Sequence, residues 1–108
     1  MTGLLVDARD DPGERVLMLT GDIDLATAAD VIAAWLWEAS SSQADLVAVD
    51  LAQVLFIDAA GLGSLVALRQ IAGTMRRSFV VRNPSAQALR IMRICGLDGL
   101  LEVWPNVT

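Results

Sequence analysis

Two short stretches of the chain carry side chains able to do chemistry. One is Thr20-Gly21-Asp22-Ile23-Asp24-Leu25-Ala26-Thr27-Ala28, the other Val54-Leu55-Phe56-Ile57-Asp58-Ala59-Ala60-Gly61-Leu62-Gly63. Each sets carboxylates where an apolar, strand-like run gives way to a helix-like one. A carboxylate pair has two chemical uses there, general acid–base work and metal binding. Both lack support in this sequence. It has no His, Lys or Tyr, no activated nucleophile, and no Gly-rich phosphate loop ending in Lys. The single Cys95 excludes an internal disulfide and a Cys-cluster zinc site. Capping is the better reading, because helix N-termini offer free N–H groups and positive potential. Asp58 then caps one helix, and Asp24 or Thr27 the other. Cys95, close to Arg90 and Arg93, is expected to be a small buried hydrophobe. No catalytic residue, metal ligand or cofactor is expected, and the chain is read as a non-enzyme.

The composition bounds the partners. The 108 residues are 55% hydrophobic, enough for one packed core, so residues 1–108 are read as a single domain. Net charge is −5 and the isoelectric point lies near 4.4, which argues against nucleic acid or an anionic membrane as a partner. No apolar run reaches membrane-spanning length, and the N-terminus lacks a basic-then-apolar leader. A soluble cytoplasmic protein without direct membrane insertion is expected. The charge is uneven. Residues 1–64 hold eleven of the thirteen acids and two arginines, whereas residues 65–108 hold six arginines and two acids. Such a dipolar surface suits the orientation of a protein partner.

The elements that position the two segments follow from local pattern. Leu4 to Val6 reads as a strand, Asp10-Asp11-Pro12-Gly13 as a turn, and Arg15 to Thr20 as the returning strand of a hairpin. Gly21 to Asp24 breaks the pattern. Ala26 to Ala39 is Ala-rich and Pro-free, hence helix. Leu46 to Val49 reads as a strand that is central or covered on both faces. Val54 to Ile57 leads into Asp58 and a helix from about Ala60 to Met75. Phe79 to Val81 is a strand. Asn83-Pro84-Ser85 opens a third helix with Pro84 in its first turn, ending near Ile94 before Gly96. Leu100 to Trp104 is a last strand. The order β-β-α-β-α-β-α-β predicts an α/β sandwich, with a mixed sheet that is parallel after the first hairpin and helices packed against it.

Helical periodicity assigns faces. Ala28, Val31, Ile32, Trp35 and Ala39 share the core side of the first helix, with Trp37 opposite. Trp37 is either a contact for another chain or lies flat over its own helix or the following loop. In the second helix Leu65, Leu68, Ile71, Ala72 and Met75 face the core. Leu62, Val66, Arg69 and Gln70 point elsewhere, beside Gly63 and Gly73, and form a docking face unless Leu62 and Val66 merely border the core. Ser64 falls nearer the core, and Ser85 reads as a helix-start residue.

The motifs carry a resemblance. Gly21-Asp22-Ile23-Asp24 with Thr27-Ala28 is similar to the Gly-Glu/Asp-Leu/Ile-Asp…Thr-Ala segment of STAS domains. Phe56-Ile57-Asp58-Ala59-Ala60-Gly61-Leu62-Gly63 resembles their Phe-Ile/Leu-Asp-Ser-Ser/Thr-Gly-Leu-Gly segment. Asn83-Pro84-Ser85 and Cys95-Gly96-Leu97-Asp98 resemble the third helix and its closing Gly-Leu. The three motifs are collinear and span nearly the whole chain. The subgroup most resembled is the stand-alone anti-sigma factor antagonists of bacteria. That resemblance implies a non-catalytic regulator that binds a serine-kinase-type anti-sigma factor and so frees a sigma factor. It places partner contacts at Asp22, Asp24, Asp58, Ala59, Gly61, Leu62, Val66 and Arg69, and leaves a homodimer open.

In the family pattern the kinase phosphorylates a Ser directly after the motif Asp, and the complex breaks. Here that position is Ala59, followed by Ala60, and neither has a hydroxyl. Two consequences compete: an antagonist locked in its binding form, or a STAS scaffold or small subunit of a signalling or lipid-transport complex. The family pattern also continues into a C-terminal helix, whereas this chain stops at Thr108, which is expected to leave a sheet face or edge uncovered.

Overall fold

The computed structural model describes residues 3–105. Its elements are β1 (Leu5–Asp11), β2 (Glu14–Ile23), α1 (Ala28–Ser41), β3 (Leu46–Ile57), α2 (Ala59–Thr74), β4 (Ser78–Arg82), α3 (Ala86–Ile94), a 3-10 turn (Leu97–Gly99) and β5 (Val103–Trp104). This is the expected order. The five strands form one sheet in the order β1-β2-β3-β4-β5. The β1–β2 hairpin is antiparallel, closed by Pro12-Gly13, and the remaining pairs are parallel. The helices supply the crossovers that parallel neighbours require.

The helices pack on one face of the sheet. Leu17, Leu19, Val47, Val49, Leu51 and Val81 meet Val31, Trp35 and Ala39 of α1, Leu65, Leu68 and Ala72 of α2, and Ala88 and Met92 of α3. Trp35 anchors this layer. Its indole Nε1 donates to the Val47 carbonyl at 3.1 Å and its ring meets Phe79 edge-on at 6.2 Å between centroids. The opposite face holds a small cluster of Val16, Ala48 and Val80, with Met18 and Leu46 against it. β3 is thus central and buried on both faces, although helices cover only one. Across the open face the Arg82 guanidinium donates to Asp11 at 3.2 Å and Glu14 at 2.9 Å. Burial pulls the Arg82 pKa down, but the hydrogen bond to Asp11 and the charges of Glu14, Asp11 and Asp50 hold it above its ordinary value. Arg15 bridges Asp10 and Glu38, fastening the hairpin to α1.

Several boundaries differ from the sequence reading. Gly21 and Asp22 do not end β2, which continues to Ile23 through an irregular register. Gly21 makes this possible with φ +119°, a conformation suited to glycine, and a side chain there would strike the Gly3 carbonyl. The runs Leu46–Val49 and Val54–Ile57 prove to be one strand. β3 carries an extra residue, Leu55, between the partners of Gly21 and Asp22, and this bulge lets Val54 and Ile57 both face inward. Pro84 precedes α3 instead of lying in its first turn, because the Ser85 hydroxyl makes the cap: it accepts from the Ala88 N–H at 3.2 Å and donates to the Val54 carbonyl at 2.6 Å. β5 is shorter than expected, since Leu100 and Leu101 turn off the 3-10 segment and both donate to the Leu97 carbonyl. Cys95 is exposed, not buried, because it forms the C-cap of α3.

Candidate functional site

The two carboxylate segments meet at one end of the sheet, where β2 and β3 give way to α1 and α2. Asp58 is the N-cap of α2: its Oδ1 accepts from the Gly61 N–H at 2.8 Å. Its Oδ2 accepts from the Leu25 N–H at 3.2 Å, so one carboxylate ties both segments together. The Asp58 N–H donates to the Ile23 carbonyl at 3.2 Å. Gly61 packs against that same carbonyl so closely that a Cβ would collide with it. Asp24 organises the other turn. Its Oδ1 accepts from the Ala26 N–H at 3.0 Å and the Thr27 N–H at 3.2 Å. Thr27 holds the N-cap position of α1, but its hydroxyl makes no cap bond. It donates instead to the Asp22 carbonyl at 2.9 Å and accepts from the Asp24 N–H at 2.9 Å.

This geometry assigns the carboxylates. Both Asp58 oxygens and one Asp24 oxygen are occupied by backbone donors, which holds the two turns in register. Among the described residues no three His, Cys, Asp or Glu side chains gather in a way that would hold a metal ion. What the junction offers is a surface. Leu25 is 81% exposed and Phe56 50% exposed, and with Asp24, Ala26 and Asp58 they line a shallow hollow. Ala59, the first residue of α2, is exposed beside Asp58. Phe56 also borders a second hollow with Leu55, Arg90, Ile91 and Ile94, extending the apolar rim onto α3.

The predicted contact residues divide. Asp22, Asp24, Asp58 and Ala59 do come together at the junction, with Asp22 exposed. Leu62 does not belong to an outer face: it is 5% exposed and part of the core, because α2 enters the sheet layer within its first turn. Gly61 is likewise buried against Ile23. Val66 is half-buried. Arg69 is exposed but lies in the last turns of α2, lining a separate hollow with Gln70 and Arg77. Ser64 is buried, its hydroxyl donating to the Gly61 carbonyl at 2.6 Å. Trp37 is 72% exposed, which removes the reading in which it lies under cover. Leu25 and Phe56 were missed, although both stand inside the quoted segments. An apolar residue in a turn directly after a carboxylate was the available signal for Leu25. For Phe56 there was none, because its exposure follows from the extra Leu55 in the β2–β3 register.

Comparison with known proteins bears on the family and the fold. The family model described as Mlab, STAS domain matches residues 6–102. The crystal structure of an anti-sigma factor antagonist from Mycobacterium paratuberculosis superposes with a TM-score of 0.82 at 25% identity, covering 97% of this chain and 88% of that one. The anti-sigma factor antagonist SpoIIAA, from Bacillus, solved in unphosphorylated and phosphorylated forms, superposes in its unphosphorylated form with a TM-score of 0.71 at 14% identity, covering 94% and 87%. A sulfate transporter family protein from Wolinella succinogenes gives 0.70 at 15% identity, covering 87% and 86%.

Proposed function

The chain belongs to the STAS family, and from that premise we propose that it is a non-catalytic binding protein of the anti-sigma factor antagonist type. Its partner in this reading is a serine-kinase-type anti-sigma factor, met in the cytoplasm, whose capture frees a sigma factor. The observation that carries the reading is the junction surface: an apolar rim of Leu25, Ala26 and Phe56, next to the exposed Ala59, around two carboxylates held by backbone donors. Apolar anchors beside fixed charges are what specific protein interfaces use, the first for affinity and the second for register. The likeness to the Mycobacterium antagonist over nearly all of both chains supports it further. The Wolinella protein supports only the fold, so the transporter-subunit reading stands behind.

Regulation would differ from the phosphorylated pattern. A phosphate brings about −1.5 to −2 charges, which beside Asp24 and Asp58 would oppose an acidic or apolar partner surface. Ala59 cannot receive one. Incubation with the candidate kinase partner and ATP, followed by intact-protein mass measurement, is expected to show a stable complex and no added phosphate. A gain of one phosphate at the junction overturns the locked reading. Ala59→Asp and Phe56→Asp are each expected to weaken the complex by about tenfold or more, the scale of an interface hot spot. Unchanged affinity in both, or copurification with a permease in place of an anti-sigma factor, overturns the docking assignment.

A further inference from the structure

We propose that the hollow between the last turns of α2 and the start of β4 is a binding site for a phosphate group. The hollow has a volume of about 480 Å³, within the size range of small-ligand sites. Two arginines, Arg69 and Arg77, line it together with Gln70 and Ser78, whose side chains carry neutral donors.

Three observations converge there. First, the ion pairs among the described residues use Arg9, Arg15 and Arg82, and neither Arg69 nor Arg77 joins a carboxylate. Second, Arg77 is pinned at one prong and unsatisfied at the other. Its Nη2 donates to the Ser42 carbonyl at 2.9 Å, while its Nη1 is screened from water with no hydrogen-bond partner. A buried charged donor without an acceptor is costly and rare, so a small rotation of Arg77 that brings Nη1 to an acceptor in the adjoining hollow relieves it. Third, the wall is mixed. Leu100 and Phe79 give an apolar side, suited to a short organic body.

The donor set favours phosphate over a single carboxylate. A phosphate presents three terminal oxygens and a charge approaching −2, which the Arg69 fork, the remaining prong of Arg77 and a hydroxyl can meet. Glu102 also faces the hollow and works against any anion. The two arginines still leave an excess of positive charge, and a dianion gains more from it than a monoanion does. The site is separate from the junction surface and independent of the anti-sigma reading: Arg69 lies ten positions along α2 from Ala59, roughly 15 Å at the helical rise.

The test is a titration of the isotope-labelled protein with hexyl phosphate, inorganic phosphate and hexanoate, read by NMR at the Gly73 and Ser78 amides and the arginine Nε–H groups. Saturable shifts confined to these positions with either phosphate, and weaker ones with hexanoate, are expected. Tighter binding of hexyl phosphate than of inorganic phosphate identifies an ester as the source; equal binding identifies free phosphate. Arg69→Gln, an exposed change with no fold role, is expected to weaken binding about tenfold, the scale of one charge-assisted hydrogen bond. Arg77→Met is expected to do the same, and Glu102→Gln to tighten binding. Shifts that do not saturate, that follow ionic strength alone, or that persist within twofold in Arg69→Gln overturn the proposal.

Discussion

Asp58 shows how much a single side chain can decide. Its two oxygens accept from Gly61 in its own helix and from Leu25 in the preceding crossover. Capping by Asp was readable from the sequence, since a carboxylate before a helix-forming run is the usual partner of free N–H groups. The second bond was not, because Leu25 is 33 positions away. Asp58→Ala is therefore expected to destabilise the fold by about 1–2 kcal/mol, the upper part of the range for a lost cap. Urea denaturation measures it, and Asp58→Asn, which keeps an acceptor oxygen, should retain part of the loss. Ala59 illustrates the reverse: its missing hydroxyl is plain in the sequence and needs no structure to interpret. Leu62 was misread at this scale. A helical wheel places it at the border of the core, and only the docking of the first turn of α2 beneath the junction sends it inward.

At the level of elements, α1 separates its two tryptophans cleanly. Trp35 and Trp37 are two positions apart and so face opposite ways on a helix. Trp35 fills the layer between α1 and the sheet and is hydrogen-bonded to β3. Trp37 stands in solvent. Trp35→Ala is expected to cost about 3–5 kcal/mol, as large-to-small core changes do, whereas Trp37→Ala should stay within about 0.5 kcal/mol. Equilibrium unfolding of the two variants checks both values. Such faces were legible because the 3.6-residue period is local. The strands were less so. The length of β3 and the exposure of Phe56 depend on its pairing with β2, where the extra Leu55 shifts the alternation of inward and outward residues. Nothing in an apolar run announces a bulge of that kind.

Across the whole molecule, the separated charges of the sequence take structural form. Arg82 on β4 reaches over the open sheet face to Asp11 and Glu14 at the hairpin, joining the arginine-rich second half of the chain to its acidic first half. Arg82→Ala is expected to cost about 1 kcal/mol, at the top of the range for partly exposed ion pairs. The loss should shrink as salt screens the pair, and thermal unfolding at low and high ionic strength tests it. No helix among the described residues is long and apolar enough to cross a membrane. By itself the sequence determined the succession of strands and helices, the absence of imidazole chemistry and the lack of a hydroxyl after Asp58. Those depend on composition and on contacts a few residues apart. Only the tertiary structure decided that the two carboxylate segments share one hydrogen-bonded junction, that Leu25 and Phe56 rim it, and that Arg69 sits with Arg77 elsewhere. Those outcomes rest on strand register and helix docking between residues distant in the chain, and no local pattern encodes them.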